Sequence, residues 1–505
     1  MKLYVIHHSH TDIGYTDRQE RIEWDHVKYL ERVVDILREA YDNGNVRWQG
    51  FKWTCEGFWA VEKFLRLSTD AYIKDFSRFV KSGNIGVSGN YLNCTELVND
   101  TVLRETMAGV AETARVHEMD ISCGMTADIN GYGWGYASAL ADYGVENLLS
   151  CVHTHHGFYT AHKKQYPFFW EAKDGNRVLV WQGEHYNIGN ELYLHRIHRR
   201  VSNMIRDDLA DRDMEDGMFS ETRIRAYIKK LKEDGYPFDF LPITVSGLMA
   251  DNAPPNPMIM EFIYDWNEKH GDDIQMEMAT LKDFFAVARA HADQIACYAG
   301  DWTDWWSDGV GSTPDVVKHY REAVAKYNLC RKLDPDRKVL DQALMDTARY
   351  NLMMYAEHTW GYFSSVTIPY DPMVDKLDKR KASFALNADE AVSRCLDTLC
   401  ESKGMTTVVP GNKRVFHAVN PNAYPIAALV KFDLEWHLKA KETNLEIIDC
   451  VTDEAVPFQI IDGAKREIHI VSKLRANEHR RYSLRGMPEP PPVSIGLCAP
   501  YGVER

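Results

Sequence analysis

No stretch of this 505-residue chain approaches the roughly 18 apolar residues that a membrane-spanning helix needs. The apolar run near its start, LYVI at 3–6, is too short for a secretory signal. A cytoplasmic protein with no membrane partner is the expectation. A long basic run is also missing, and 59 lysines and arginines are outnumbered by 74 aspartates and glutamates, so nothing is laid out to track a phosphate backbone. That excludes a nucleic-acid partner. The ten cysteines (55, 94, 123, 151, 297, 330, 395, 400, 450, 498) contain no CxxC pair, which excludes a disulfide framework and a cysteine-rich zinc site in favour of reduced, mostly buried thiols. What the chain does have is an ordinary globular balance of 45% hydrophobic and 26% charged residues, with enough length for two or three cores. Its 13 tryptophans and 26 tyrosines suit large cores or sugar-stacking surfaces.

From Leu3 to about residue 300, short β-type runs alternate with longer amphipathic stretches. LYVI precedes a segment in which Val27, Leu30, Val34, Leu37 and Tyr41 recur at helical spacing. VRWQGFKWT (46–54), GNIGVSGNY (83–91), ISCGMTAD (121–128), VENLLSC (145–151), RVLVWQG (177–183) and FLPITVSGL (240–248) read as further strands. The alternation predicts an α/β fold with a distorted parallel (β/α) barrel over residues 1–313, its reactive groups at the carboxyl ends of the strands. Residues 314–404 read as a three-helix bundle, with Leu340, Leu344, Ala348, Leu352 and Tyr355 near one face of the middle helix. Residues 405–486 carry short runs broken by Asn-Pro and Asp-Gly turns, the start of an antiparallel β-sandwich, and 487–505 read as a linker or tail. Acidic charge and a β-rich C-terminal region are compatible with a homo-oligomer.

The decapeptide HHSHTDIGYT at 7–16 crowds ligand-type side chains just beyond the first strand. On an extended chain His8, His10 and Asp12 form one row and His7 and Ser9 the other. His10 and Asp12 are a good N/O pair for Zn²⁺, or else part of a polar capping loop; a site needs two more ligands. ISCGMTADINGYGWG repeats the grammar, an apolar run ending in Asp128 before a glycine-rich turn, although an aspartate there also suits a helix N-cap. YAEHTWGY places His358 at a helix end, where a histidine also serves as a dipole partner.

In combination these segments are similar to glycoside hydrolase family 38, the zinc-dependent α-mannosidases. HSHTD (8–12) resembles that family's opening motif, MTADINGYG (125–133) its nucleophile segment and AEHTWG (356–361) the region of its last histidine ligand, with weaker echoes in order at 83–105, 168–181 and 245–256. The resemblance implies one zinc ion per chain on His10, Asp12, Asp128 and His358, with a carbohydrate substrate bound through two hydroxyls and Asp128 as the nucleophile of a retaining mechanism. Such a mechanism also needs an acid/base carboxyl. CYAGDWTDWWSDGVGSTP (297–314) offers Asp301 and Asp304, between which the alignment does not choose, with Trp302, Trp305 and Trp306 as an apolar wall and sugar platform or, alternatively, as core. Tyr186, Asp251 and Asn252 are further expected substrate contacts. The chain departs from the family where Ile129, Asn130 and Gly131 follow the nucleophile in place of Pro-Phe-Gly, and where Thr359 follows His358 in place of an aspartate. A zinc-dependent carbohydrate deacetylase, with metal-bound water as nucleophile, and a catalytically inactive sugar-binding protein are the alternative functions.

Overall fold

The computed structural model describes residues 1–129, 131–153, 164–194, 216–248, 251–302, 307–406, 415–433, 445–462 and 466–486. The chain forms two compact units, residues 1–324 with 347–389, and residues 325–346 with 390–505.

Among the described residues the first unit holds ten strands: β1 (Lys2–His8), β2 (Trp53–Cys55), β3 (Ile85–Val87), β4 (Cys123–Ala127), β5 (Asn147–Cys151), β6 (Tyr166–Glu171), β7 (Arg177–Gln182), β8 (Phe240–Ser246), β9 (Gln275–Met278) and β10 (Cys297–Ala299). β1 lies between β8 and β9, parallel to both, with Val5 opposite Ile243 and Met278. A second sheet runs in the order β10-β6-β7-β5-β4, and β2 pairs with β3. This is a mixed α/β architecture. Among the described residues the hydrogen bonding does not close it into the expected barrel: the strands stand in separate sheets of three, five and two. Two local features account for this. β6, which the sequence reading left unassigned, returns antiparallel to β7 through a tight turn in which the Ala172 amide donates to Asn176 O at 2.8 Å. β2, β3 and β10 are only three residues long, too short to carry a ladder on to a further neighbour.

β7 shows why the sequence of these strands reads as continuous apolar runs rather than alternation. Leu179 and Trp181 face one core, with Tyr4, Ile6, Met125, Phe240 and Phe284. Val178 and Val180 face another, with Leu148, Phe168, Trp170 and Trp302. Both faces are dry, so polar residues are pushed to the strand ends. The 23-residue helix Gln19–Tyr41 buries Val27, Leu30, Val34 and Leu37 of the predicted stripe, while Tyr41 at its end is exposed. VRWQGFKWT splits into a 3₁₀ turn (Val46–Trp48) and β2, because Gly50 adopts φ 92° and breaks the strand.

Three long helices follow the α/β region in sequence: Pro314–Leu333, Gln342–Ala356 and Pro372–Ser402. The second unit contains β11 (Val415–Val419), β12 (Ile426–Asp433), β13 (Leu445–Asp449), β14 (Glu454–Ala455), β15 (Phe458–Asp462), β16 (Arg466–Leu474) and β17 (His479–Gly486). They form two antiparallel sheets, β11-β17-β13-β14 and β12-β16-β15. One cluster that includes Ile447, Ile468, Ile470, Tyr482 and Leu484 draws on both sheets, as in a β-sandwich. Among the described residues no helix is long and apolar enough to cross a membrane.

Trp181 tests the double-faced core. It is fully buried, its ring centroid lies 4.9 Å from that of Phe284, and its Nε1 donates to Gln165 Oε1 at 2.8 Å. Trp181→Ala is expected to cost about 3–5 kcal/mol, measured as a fall in the urea midpoint at unchanged slope.

Candidate metal centre

Beyond β1 the chain keeps its two-row alternation, and the rows serve different ends. His7 turns into the core: its ring packs edge-on to Trp53 at 4.7 Å, Nε2 accepts the Asn256 amide and Nδ1 donates to Val245 O. With both nitrogens so used it is neutral, and burial pushes its pKa down to about 3. Ser9, in the same row, accepts the Ala253 amide. The other row, His8, His10 and Asp12, faces the interior of the site.

There four ligand atoms, one each from His10, Asp12, Asp128 and His358, lie within 4.8 Å of one another, and all four residues are buried. His358 Nε2 is 3.3 Å from both Asp12 Oδ1 and Asp128 Oδ2. His10 Nε2 is 3.4 Å from Asp12 Oδ1 and 3.7 Å from Asp128 Oδ2. Ligands 2.0–2.1 Å from a tetrahedral ion stand roughly 3.3 Å apart, so these spacings fit a metal ion at the centre. The buried Nε2 of His10 and Oδ1 of Asp128 have no hydrogen-bond partner, which also suits coordination. Asp128 closes β4 in the left-handed region at φ 69°, a conformation rare for residues other than glycine and common at functional sites.

Each histidine is backed by a carboxylate. His10 Nδ1 meets Glu56 Oε1 at 3.1 Å, and the same glutamate accepts from the Thr11 amide (3.2 Å) and Asn93 Nδ2 (2.8 Å) and meets His8 Nδ1 at 2.7 Å. His358 Nδ1 lies 2.9 Å from Glu357 Oε1. Such partners fix ring orientation and raise ligand basicity. Asn93 joins three parts of the site: its side chain also accepts the Ala127 amide at 3.0 Å, and its carbonyl accepts the His358 amide at 2.9 Å.

The remaining expected residues divide. Tyr186 is buried and stacks on His10 at 4.0 Å, and burial, then the carboxylates Asp128, Asp251 and Asp12, push its phenol pKa well up. Burial, then the nearby carboxylates Asp12 and Asp128, push the Asp251 carboxyl up to about 7. Asn252 clamps the Asp12 loop. Its Oδ1 accepts from the Asp12 amide and meets His26 Nε2, while its Nδ2 donates to Asp12 O and Thr16 Oγ1, which spends its polar atoms on the protein. Trp302 is 1% exposed, packed among Tyr132, Phe168 and Trp170, so it is core rather than a sugar platform. Asp301 is exposed, and its Oδ1 accepts the Trp134 amide at the start of helix Gly135–Asp142. Asp304, Trp305 and Trp306 lie outside the described residues.

Sequence reasoning missed Glu56, Asn93, Glu357 and His153, whose Nε2 lies 3.7 Å from Asp128 Oδ1. A signal for Glu56 was present: WTCEG is another apolar run ending in an acid and a glycine. Glu357 adjoins His358 and was open to the same inspection. Asn93 lies within the segment 83–105 that resembles the family but is not singled out there, and His153 carries no local signal, since only the tertiary path brings it in.

Residues 1–305 match the family described as "Glycosyl hydrolases family 38 N-terminal domain". In fold the chain is similar to an alpha-mannosidase from Enterococcus faecalis V583, with a TM-score of 0.65 at 13% identity over 96% of this chain and 56% of that one. It is also similar to a protein in the glycosyl hydrolase family 38 from Enterococcus faecalis, with a TM-score of 0.58 at 11% identity over 96% and 54% of the two chains. The chain thus spans little more than half the length of either. No curated protein matches it in sequence.

Two outcomes follow from the geometry. Elemental analysis of the purified protein is expected to find about one divalent metal per chain, lost in His10→Ala and in His358→Ala. In the metal-free protein Asp251 titrates above the ordinary carboxyl value of about 4, so between that pH and about 7 the folded chain holds a proton the unfolded chain has released. Stability therefore falls as pH rises through this window, and Asp251→Asn is expected to flatten the fall in a series of urea titrations.

Proposed function

This chain belongs to glycosyl hydrolase family 38, and from that premise we propose that it is a zinc-dependent retaining glycoside hydrolase of the α-mannosidase type, cleaving terminal α-linked sugars. The observation that carries the reading is the convergence of His10, Asp12, Asp128 and His358 from the ends of β1, β4 and the helix Gln342–Ala356. Bound by these four residues, a zinc ion would hold two neighbouring sugar hydroxyls and keep Asp128 ionised.

The rest falls to side chains. Asp128, held at a strand end with Oδ1 uncommitted, attacks the anomeric carbon as the glycosidic C–O bond breaks. The leaving oxygen takes a proton from a second carboxyl, and a glycosyl ester on Asp128 results. Water, deprotonated by that same carboxylate, then attacks the anomeric carbon and releases Asp128, so that two inversions retain configuration. For the second carboxyl we take Asp251 in preference to Asp301 or Asp304. Burial and the neighbouring carboxylates Asp12 and Asp128 push its pKa up to about 7, which keeps it protonated near neutrality as a general acid must be. Asp301 is committed to a helix start. A carbohydrate deacetylase would use the same metal site but give Asp128 no covalent role, so labelling of Asp128 separates the two.

The test is direct. A fluorinated α-glycoside with a good leaving group, mannoside first, is expected to label a peptide containing Asp128 by mass spectrometry, and proton NMR is expected to show the α-product first. Asp128→Ala should lose at least 10³-fold in kcat/KM. Asp251→Ala should lose about 10²–10⁴-fold on substrates with poor leaving groups and far less on activated aryl glycosides. Asp301→Asn should stay within a few-fold of wild type. Inverted product, or a label elsewhere, would sink the mechanism.

A further inference from the structure

Lys381 is buried at 3% exposure, and its ammonium group is fully engaged. Nζ donates to Glu357 Oε2 at 3.1 Å, to Glu357 O at 2.8 Å and to Met354 O at 3.0 Å, and it lies 4.2 Å above the ring of Trp360. These contacts use all three ammonium protons. They also tie the helix Pro372–Ser402, which carries Lys381, to the segment just before and after His358.

The other carboxylate oxygen of Glu357 faces the metal site. Oε1 lies 2.9 Å from His358 Nδ1 and accepts from Thr359 Oγ1 at 2.5 Å and from the Ile13 amide at 3.5 Å. Thr359 Oγ1 is in turn 3.4 Å from Asp12 Oδ1. One oxygen of the glutamate thus gathers His358, Thr359 and the Asp12 loop, and the other is held by the lysine. His10 is backed differently: among the described residues Glu56 meets an amide, an asparagine and His8, and no lysine. The two histidine arms of the centre are anchored by different chemistry.

We propose that Lys381 is a positioning residue of the metal centre, holding Glu357 against Nδ1 of His358 so that Nε2 stays aimed at Asp12 and Asp128. A glutamate adjacent to its histidine in sequence can rotate away from it. A buried carboxylate with no cation is also costly enough to be protonated or displaced. Lys381 prevents both. Thr359, where a carboxylate would add a further negative charge, completes the lock with a neutral donor. The inference rests on the metal reading above and adds residues that touch neither substrate nor ion.

The experiment is a double-mutant cycle read as divalent-metal affinity by chelator competition with Zn²⁺, together with the visible d–d spectrum of the Co²⁺-loaded protein. Lys381→Met is expected to weaken Zn²⁺ binding by about 10–100-fold and to change the Co²⁺ band shape. In a Glu357→Gln background, where the carboxylate that the lysine holds against His358 is gone, the same lysine change is expected to cost no more than about 3-fold in metal affinity. Lys63→Met, which removes another buried lysine that pairs with Glu23, controls for general loss of stability. Three results would overturn the proposal: wild-type affinity in folded Lys381→Met, an equal loss in Lys63→Met, or a 10-fold loss from the lysine change in the Gln background. The last comparison stands even where the single Lys381 variant does not fold. Absence of metal in the wild type would overturn the metal reading itself.

Discussion

Asp12 and Asp128 lie at the same distance, 3.3 Å, from one nitrogen of His358, and both are buried. Two carboxylates brought together out of water repel each other and lose their hydration, and each cost alone is enough to push a carboxyl towards its neutral form. Instead both are held below the usual range by His10 and His358, whose own pKa values rise well above that of free imidazole for the same reason. The pocket as folded is therefore arranged around positive charge. Protons on the imidazoles supply it in the metal-free chain. A dication would displace them and release them to water, so that affinity for metal must rise with pH over the range in which the histidines lose their protons.

The architecture reads as a means of enforcing that unfavourable proximity. Short strands buried on both faces leave polar residues only at their ends, and the ends of β1, β2 and β4 deliver His10, Glu56 and Asp128 without any loop having to be rigid by itself. Asn93 then ties together the strand that ends in Asp128, the glutamate behind His10 and the backbone of His358. Asn252 does the same for Asp12 from the end of β8, at φ 49°. Neither asparagine has a charge to offer. Each satisfies several backbone groups at once, which is what a buried, irregular chain segment requires.

This division between charge and scaffold also explains what the sequence disclosed. Residues whose type announces their chemistry, such as His10, Asp12, Asp128 and His358, stood out once their strand-end and helix-end settings were read together. Most of the strands and all three long helices were legible because hydrophobic periodicity is local. The β6–β7 hairpin escaped because both of its strands are apolar on both faces, and nothing in YPFFWE says in which direction it pairs. Trp302 and Asp301 show the opposite limit: tryptophans interleaved with acids and glycines suit a sugar site or a core, and the ring that fills a core and the carboxylate that receives an amide at a helix start carry the same letters. Composition does not say which way a side chain points.

Asp251 shows how far the chemistry depends on that pointing. Its sequence setting, next to Asn252 at a strand-end turn, gave it no more claim to act as an acid than Asp301 had. What separates them is environment: burial and the charges of Asp12 and Asp128 act on Asp251, whereas Asp301 is exposed. Its raised pKa has two origins that respond differently to the ion. The repulsion from Asp12 and Asp128 is cancelled when a dication sits on those groups, while the burial contribution stays and the ion's own field adds a downward pull. Loading the centre must therefore make Asp251 a stronger acid than it is in the metal-free chain, without moving a single side chain. In the mechanism proposed above, the four residues that would hold the ion beside Asp128 would thus also set the acidity of Asp251, and one charge would govern both halves of the reaction.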